Sequence, residues 1–484
     1  MSKSEEKKPE EKKISRRSYL KYAGGIVAAG AIAAAGYGIY EATKPPPTHP
    51  PVELVFTSPE WLPGSLTGDI AKGFTDWSQK NLGYPTTVKM DLNPWGTYHD
   101  RLATILSAKG SDFDLLIADS QFIGEFAEGG HILKLNDWIK AHQGKDINMF
   151  DFPPNLVKYF CTYPVWNFDE EKFKAGDLQL DTVGYYGIPH EADVMALVYR
   201  TDLFTNPDER AAFRAKYGYD LKPPETWAQL RDLAEFFTRP PKLYGIASKF
   251  TRAGDCISTD WNQILWCFGG ELWNPQTHQV RGYVNSPAAL KALEFYKSLY
   301  KVAPSGSATY GFDEVNRAVQ EGLVAMAVNW YAFMPSYLDP AQSKVYDKLG
   351  FAVCPRAEKH YVSLGGQGIG VCTYSKYKKE ALQFIDWFQS DATQWKWVDG
   401  GGYTGKKSIL NTDRFLKAKP YNGALRDSLP LLKDFWNMPE YADMLDIMQE
   451  NLNAAVVGQK TPKQALDEIA EKQHAVLELS LIHI

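Results

Sequence analysis

Between residues 52 and 119 the apolar residues switch between a period of two and a period of three to four. Val52, Leu54 and Phe56 alternate with polar residues, which predicts a strand, and a second alternating run occupies 88–92. A helical stripe follows each run: Leu66, Ile70, Phe74 and Trp77 after the first, and Tyr98, Leu102, Ile105 and Leu106 after the second. The continuous apolar run 114–119 predicts a buried parallel strand, so the segment is a β-α-β-α-β unit of a doubly wound sheet.

A second α/β region follows a long strand that we predict over 187–200. The stretch 226–237 predicts a helix introduced by prolines, and 243–247 predicts the strand after it. The pattern also predicts further helices and one more buried strand, with the helices over 261–268, over 289–301 and from Thr461 onward, and the strand over 324–329. The predicted fold class is therefore α/β, with two such regions in one chain.

The first 51 residues predict an export segment and a spacer outside the fold. Arg16 and Arg17 precede a mildly apolar, Ala- and Gly-rich stretch over 23–40. This arrangement resembles a twin-arginine export signal, while its length also suits an uncleaved membrane anchor or a short buried helix. The Pro-rich run 44–51 predicts an extended spacer. At the other end, 479–484 reads like a translated sequencing adapter, and we exclude it from the fold.

Composition and charge indicate a folded protein whose partner is not a polyanion. The 53 Lys and Arg against 58 Asp and Glu give a net charge of −5, which argues against nucleic acid as a partner. Hydrophobic residues make up 44% of the 484 residues, and this length suits two or three domains. The 14 Trp and 27 Tyr exceed what a core needs, and such rings suit a ligand that carries a ring of its own.

The five cysteines show neither metal-binding nor redox spacing. No CxxC pair and no zinc-type spacing with histidine is present in the sequence, so we predict no metal and no cofactor. Cys256 and Cys267 either form a disulfide in an oxidising compartment or remain buried thiols, and the sequence leaves both open.

The ends of the predicted strands carry side chains that suit carbohydrate binding. Ligands of doubly wound sheets bind outside the carboxyl ends of the strands. Those ends carry, in chain order, Ser58, Glu60, Trp61, Asn93, Trp95, Asp119, Ser120 and Gln121. A carboxylate accepts hydrogen bonds from two hydroxyls at once, and an aromatic ring packs against the apolar face of a sugar.

The order of these signals resembles the large solute-binding proteins of ABC importers, in particular the extracellular family 1 group that binds sugars and polyols. Four stretches carry the resemblance together with the first β-α-β-α-β unit, namely 187–200, 322–329, the Gly-rich 365–371 and the helix start at 461–466. The resemblance covers most of 52–477.

The resemblance implies a two-lobed, type II periplasmic-binding-protein-like fold, with the ligand in a cleft between lobes that are joined by crossing strands. The first lobe would comprise 52–189 and 366–405, and the second 191–364 and 406–477. It also implies an extracytoplasmic monomer that delivers its ligand to the permease subunits of an ABC importer. The segment 148–180 departs from shorter members of the family.

On this resemblance we assign nine residues to the ligand site. The polar contacts are Glu60, Asp119, Glu191, Asn329 and Gln367, and the stacking platforms are Trp61, Trp261, Trp330 and Tyr403. Gln367 stands where many relatives carry Trp. Competing structural roles are core packing for Trp261 and Tyr403, and a hinge ion pair for Glu191.

Two other functional classes share these features. An exported carbohydrate-active enzyme could use paired carboxylates such as Glu60 and Asp119, and a tethered ligand sensor would need the same cleft. No nucleophile elbow or Ser-His-Asp pattern is present in the sequence. We therefore predict a binding protein and not an enzyme.

Overall fold

The computed structural model describes residues 49–144 and 147–482, with side chains described to residue 479. The predicted twin-arginine signal and anchor lie outside the described residues. Within the described part, no helix is both long and apolar enough to cross a membrane. The final helix continues through the excluded segment as far as residue 482.

The strands of the described residues are β1 (Val52–Pro59), β2 (Thr86–Asn93), β3 (Leu115–Asp119), β4 (Thr162–Tyr163), β5 (Gly184–Tyr185), β6 (Ile188–Glu191), β7 (Met195–Arg200), β8 (Tyr244–Ala247), β9 (Val324–Trp330), β10 (Leu349–Ala352), β11 (Val362–Ser363), β12 (Gln367–Val371) and β13 (Leu432–Lys433).

The α-helices of the described residues are α1 (Leu62–Leu82), α2 (Trp95–Ser107), α3 (Ser120–Glu128), α4 (Asn136–His142), α5 (Pro154–Cys161), α6 (Glu170–Lys174), α7 (Thr201–Thr205), α8 (Pro207–Tyr217), α9 (Trp227–Phe237), α10 (Cys256–Cys267), α11 (Pro287–Tyr300), α12 (Phe312–Gln320), α13 (Met334–Tyr337), α14 (Lys378–Gln389), α15 (Asp391–Asp399), α16 (Lys407–Leu410), α17 (Asp413–Ala418), α18 (Asn422–Ser428), α19 (Tyr441–Val456) and α20 (Pro462–Ile482).

The fold has two lobes, each built on its own sheet, which confirms the predicted fold class. The sheet of the first lobe has the strand order β2-β1-β3-β12-β6. β1 pairs in parallel with β2 and β3, as predicted, whereas β12 runs antiparallel to β3 and β6. The sheet of the second lobe has the order β10-β7-β9-β8, with β7 antiparallel to both neighbours and β8 parallel to β9.

The chain crosses between the two sheets where the sequence suggested one long strand over 187–200. That prediction was wrong, because β6 ends at Glu191 in the first sheet and β7 begins at Met195 in the second. The chain returns through 364–367 into β12. At Gly366 a β-carbon would lie 2.1 Å from the Phe160 ring and 2.2 Å from the Glu191 carbonyl oxygen, so this return requires glycine.

Helix ends follow the local signals in the sequence. Thr226 caps α9 in a capping box with Gln229. At the start of α20, the hydroxyl of Thr461 accepts a hydrogen bond from the backbone N–H of Gln464. α10 begins at Cys256, five residues before the predicted start at 261, because its first turn carries no apolar stripe that the pattern could reveal.

The structure excludes a disulfide between Cys256 and Cys267, which the sequence had left open. All five cysteines are free and buried. Cys256 and Cys267 stand at opposite ends of α10, about 16 Å apart at 1.5 Å per residue, whereas a disulfide needs α-carbons within about 7 Å.

The segment 148–180 packs on the first lobe and also reaches the second. Its strand β4 pairs with β5, and the Phe160 carbonyl at the end of α5 lies against Gly368 of β12. Asp151 accepts hydrogen bonds from the backbone and the hydroxyl of Ser408, at 2.9 and 2.6 Å. Trp166 meets Trp273 and His278 of the second lobe edge-on, with ring centroids 6.0 and 5.1 Å apart.

Candidate functional site

A cavity of about 600 Å³ lies between the lobes, at the carboxyl ends of β1, β2 and β3. Three stretches of the first lobe line it, namely 60–61, 94–96 and 119–121. The second lobe contributes residues of 251–256, 309–314 and 330–333. Residues of both crossing segments complete the wall. The volume lies within the usual range for small-molecule sites, which is about 300–1,000 Å³.

Stacked aromatic rings form the wall on the first lobe. Trp61 lies two residues after the end of β1 and packs on Trp95, with ring centroids 5.5 Å apart and an angle of 27°. Trp95 in turn stacks on Tyr98 and Phe122 at 6.2 and 5.8 Å. Trp61 remains half-buried and lines the cavity. A flat apolar surface is therefore held in place by the rings behind it.

Trp330 and Phe312 form the facing wall on the second lobe. Trp330 ends β9, which sits in the middle of its sheet, and only 6% of the residue is exposed. The buried ammonium group of Lys249 lies 5.7 Å from the Trp330 ring and 5.8 Å from the Phe312 ring. Its charge is paired with Asp260, which is also buried. Cation–π contacts of this kind hold both rings in position.

Gly365 allows the Trp330 indole to pack against the chain. A β-carbon at position 365 would lie 2.5, 2.6 and 2.9 Å from three atoms of that ring. The indole can occupy this position only because residue 365, in the segment that returns to the first lobe, is a glycine without a β-carbon.

Asp119 and Gln367 form a hydrogen-bonded pair in the floor of the cavity. They face each other across the β3–β12 register, and the Gln367 amide donates to Asp119 Oδ2 at 2.9 Å. Asp119 also accepts from the backbone N–H of Gln121 at 2.9 Å and thereby caps α3. Burial nevertheless raises the pKa of Asp119 to about 8, and the nearby carboxylates of Asp434 and Asp255 add to the rise.

A direct hydrogen bond joins the two lobes across the cleft. The Gln121 side-chain amide, on α3 of the first lobe, donates to Asp255 Oδ2 at 2.8 Å. Asp255 precedes α10 of the second lobe and is buried. Burial raises the pKa of Asp255, while the Gln121 amide, Lys249 and the Trp95 indole lower it.

Five of the nine predicted site residues line the cavity, and four do not. The five are Glu60, Trp61, Asp119, Trp330 and Gln367. Glu60 is exposed at the rim and the other four lie deeper. Glu191 is buried behind the wall, where burial and the Asp193 carboxylate raise its pKa well above the usual value and the Trp61 indole acts against them.

The structure places Trp261, Asn329 and Tyr403 in the protein interior. Trp261 is fully buried within α10 and does not line the cavity. The Asn329 amide donates to Asn316 and Tyr337 at 2.8 and 2.9 Å, because alternate residues of β9 face opposite sides of the sheet. Tyr403 is 1% exposed.

Among the cavity residues that the predicted site lacked, four matter most for its chemistry, namely Trp95, Gln121, Asp193 and Asp255. Trp95 and Gln121 stood at the predicted strand ends, so their position in the sequence already pointed to the cleft. Asp193 and Asp255 carried no such signal, since one lies between β6 and β7 and the other precedes a helix start that the pattern missed. Burial raises the pKa of Asp193 to about 8.

Comparison with known proteins places this geometry in a family. The family model described as "Bacterial extracellular solute-binding protein" matches residues 64–395. A "Mannitol-binding protein" of Pseudomonas aeruginosa is 27% identical over 308 residues. The "Probable amino-acid ABC transporter periplasmic-binding protein y4oP" of Sinorhizobium fredii is 26% identical over 263 residues. These alignments cover 58% and 51% of this chain, and 66% and 56% of the two relatives' own lengths.

Solved structures share the fold over nearly their whole length. A solute-binding protein of Agrobacterium radiobacter K84 in complex with ribitol aligns with a TM-score of 0.71 at 23% identity, covering 88% of this chain and 98% of that one. Maltose-bound MalE3 of T. maritima aligns with a TM-score of 0.70 at 22% identity, covering 88% and 100%. The family model covers more than half of the sequence, and the chain belongs to the bacterial extracellular solute-binding proteins.

Proposed function

We propose that this protein captures a carbohydrate, either a sugar, an oligosaccharide or a polyol, between its two lobes and delivers it to an ABC importer. The observation that carries the proposal is the cavity between the lobes, where stacked indole rings face carboxyl groups. Aromatic faces suit the apolar side of a sugar ring, and carboxylates suit its hydroxyls. Three of the relatives support this ligand class, because one is called mannitol-binding and two are solved with ribitol and maltose, whereas the Sinorhizobium fredii relative is named for amino acids.

In this proposal the ligand contacts are Trp61 and Trp330 as stacking platforms, with Asp119 and Gln367 as hydrogen-bonding partners and Glu60 at the rim. Glu191 supports Trp61 from behind and does not touch the ligand. The lobes correspond to 52–189 with 366–405, and to 191–364 with 406–477, and they close by bending at the crossing segments.

We further propose that the protein works as a monomer outside the cytoplasm, after export by the twin-arginine route. The paired Arg16 and Arg17 before an Ala- and Gly-rich stretch support this route. Replacing both by Lys should leave the precursor in the cytoplasm, which cell fractionation would show. Normal export of that variant would exclude the route.

The test of function is a thermal-shift screen of the full chain against sugars, oligosaccharides, polyols and amino acids. A ligand present at a thousand times its Kd stabilises the folded state by about 4 kcal/mol, which gives a measurable rise in melting temperature. Each ligand that binds is then recovered and checked by chromatography. We expect at least one carbohydrate to bind and to remain intact.

Variants connect the result to the cleft. Trp61→Ala should weaken binding roughly 10- to 100-fold, as expected when a central aromatic anchor is removed. Trp395→Ala is the matched control, because Trp395 is half-buried on α15, packs against Arg414 and does not line the cavity. Binding of amino acids alone would refute the carbohydrate ligand, and consumption of the carbohydrate would favour an exported enzyme.

A further inference from the structure

The charged groups that line the cavity are all of one sign. Six carboxyl groups line it, and they belong to Glu60, Asp119, Asp193, Asp255, Asp313 and Glu314. Among the described residues of its wall there is no lysine, arginine or histidine. The nearby cation Lys249 is paired with Asp260 and covered by the rings of Phe312 and Trp330, which line the cavity in its place. Burial raises the pKa of Asp119 and of Asp193 to about 8, so the negative potential of the cleft at neutral pH comes from the other carboxyl groups and increases when a bound cation displaces those two protons.

Carboxyl groups match three of the helix ends at the cavity. Helices α1, α2, α3, α10 and α12 begin there, and a free helix N-terminus favours an anion. The ends of α3, α10 and α12 have a carboxyl group of their own, whereas α1 and α2 have no acidic residue in the first turn. Asp119 caps α3, Asp255 precedes α10, and Asp313 and Glu314 lie in the first turn of α12. The positive ends of these three helix dipoles are thus matched within the protein.

One of the buried carboxyl groups of the cavity has an oxygen that lacks a hydrogen-bond donor in the part of the chain that the structure describes. Asp119, Asp193 and Asp255 are each at most 6% exposed. Asp255 Oδ1 accepts no hydrogen bond of ordinary geometry from the described residues. An ammonium group would supply both a donor and a compensating charge at this point.

An adjoining cavity of about 270 Å³ shares Trp95, Gln121 and Asp255 with the main one, and its wall also contains two basic residues, His99 and Arg252. His99 Nε2 lies 2.7 Å from a Glu125 carboxylate oxygen, so its charge is already matched. Arg252 lines this adjoining cavity and is exposed to solvent. Neither base reaches the wall of the main cavity.

We infer that the cleft selects a cationic carbohydrate, an amino sugar or an aminopolyol, over the neutral compound of the same shape, and that it rejects acidic sugars. The inference rests on the proposed function, since it takes the ligand to be a carbohydrate. The ammonium group binds beside Asp255, at the point where the Gln121–Asp255 hydrogen bond joins the lobes. Asp255 would then both recognise the charge of the ligand and join the two lobes.

The experiment compares matched triplets by isothermal titration calorimetry on the full chain at pH 7. One triplet is glucose, glucosamine and glucuronate. A second is sorbitol, its 1-amino-1-deoxy analogue and gluconate, and a third uses a disaccharide and its amino and acidic forms. We expect the amine to bind at least tenfold more tightly than the neutral compound in every triplet that binds, and the acid to bind most weakly.

Two further readouts identify the source of the selectivity. Asp255→Asn should reduce the advantage of the amine at least fivefold, while Asp347→Asn should change it less than twofold because Asp347 is exposed and does not line the cavity. Titrations in two buffers of different ionisation enthalpy should show proton release with the amine, because Asp119 and Asp193 still carry protons at pH 7 in the free protein.

The outcomes separate this inference from the proposed function. If neutral sugars bind as tightly as the amines, or acidic sugars bind best, the inference is overturned while the proposed function stands. If no carbohydrate of any charge binds, both are overturned. An amine advantage that survives Asp255→Asn would refute the assigned position of the ammonium group.

Discussion

Replacing Gly365 by Ala tests whether this glycine sets the position of the Trp330 ring. The added methyl group would lie 2.5–2.9 Å from three atoms of the indole, whereas carbon atoms pack best at about 3.5–4.0 Å. The ring must therefore move by about 1 Å, and overpacking of this kind costs about 1–3 kcal/mol. Since Trp330 lines the cavity, ligand affinity should fall with stability.

The assay is urea unfolding of four proteins: the native chain, Gly365→Ala, Trp330→Ala and the double variant. Trp330→Ala removes the ring that the methyl group would strike, so Gly365→Ala should cost less than about 0.5 kcal/mol in that background. Gly423→Ala is the control, because a β-carbon there meets nothing within 4 Å, and it should be neutral or slightly stabilising. An equal cost of Gly365→Ala with and without Trp330 would refute the reasoning.

Three other predictions address charge and organisation. Lys249→Met leaves Asp260 buried without its cation and should cost about 3–5 kcal/mol in urea unfolding, and adding Asp260→Asn should recover part of that loss. Because burial raises the pKa of Asp119 to about 8, the folded state holds a proton between pH 4 and 8 that the unfolded state releases, and stability falls as pH rises through this range. Asp119→Asn should therefore be more stabilising at pH 8 than at pH 5, and equal effects at both pH values would contradict a raised pKa. Deletion of 1–51 should leave a folded chain with an unchanged melting temperature, and loss of the cooperative melt would show that this segment belongs to the fold.

The sequence predicted the first lobe better than the second. In β1, β2 and α1 the apolar period is regular, and the structure has these elements where the pattern placed them. The run 187–200 misled the prediction because the chain stays buried as it passes from one sheet to the other, and even its polar residues His190, Glu191 and Asp193 are buried. Periodicity reports burial, and it does not report which sheet a strand joins.

The sequence likewise predicted only some of the residues that line the cleft. Trp61 and Trp95 could be placed at its edge because parallel strands end on one side of a sheet. Asn329 and Trp330 are adjacent at the end of β9, and the sequence alone does not tell which of the two faces the ligand. Asp255 lies at the cleft because the start of α10 in the second lobe meets α3 of the first, where Gln121 donates to it, and this contact joins residues that are distant in sequence.

The segment 148–180 links the lobes at a distance from the cleft. Asp151 accepts two hydrogen bonds from Ser408, and the Trp166 ring packs edge-on against the rings of Trp273 and His278. A lobe that rotates about the crossing segments must carry these links with it or break them. We therefore expect the segment to act as a tether that restricts the proposed hinge motion.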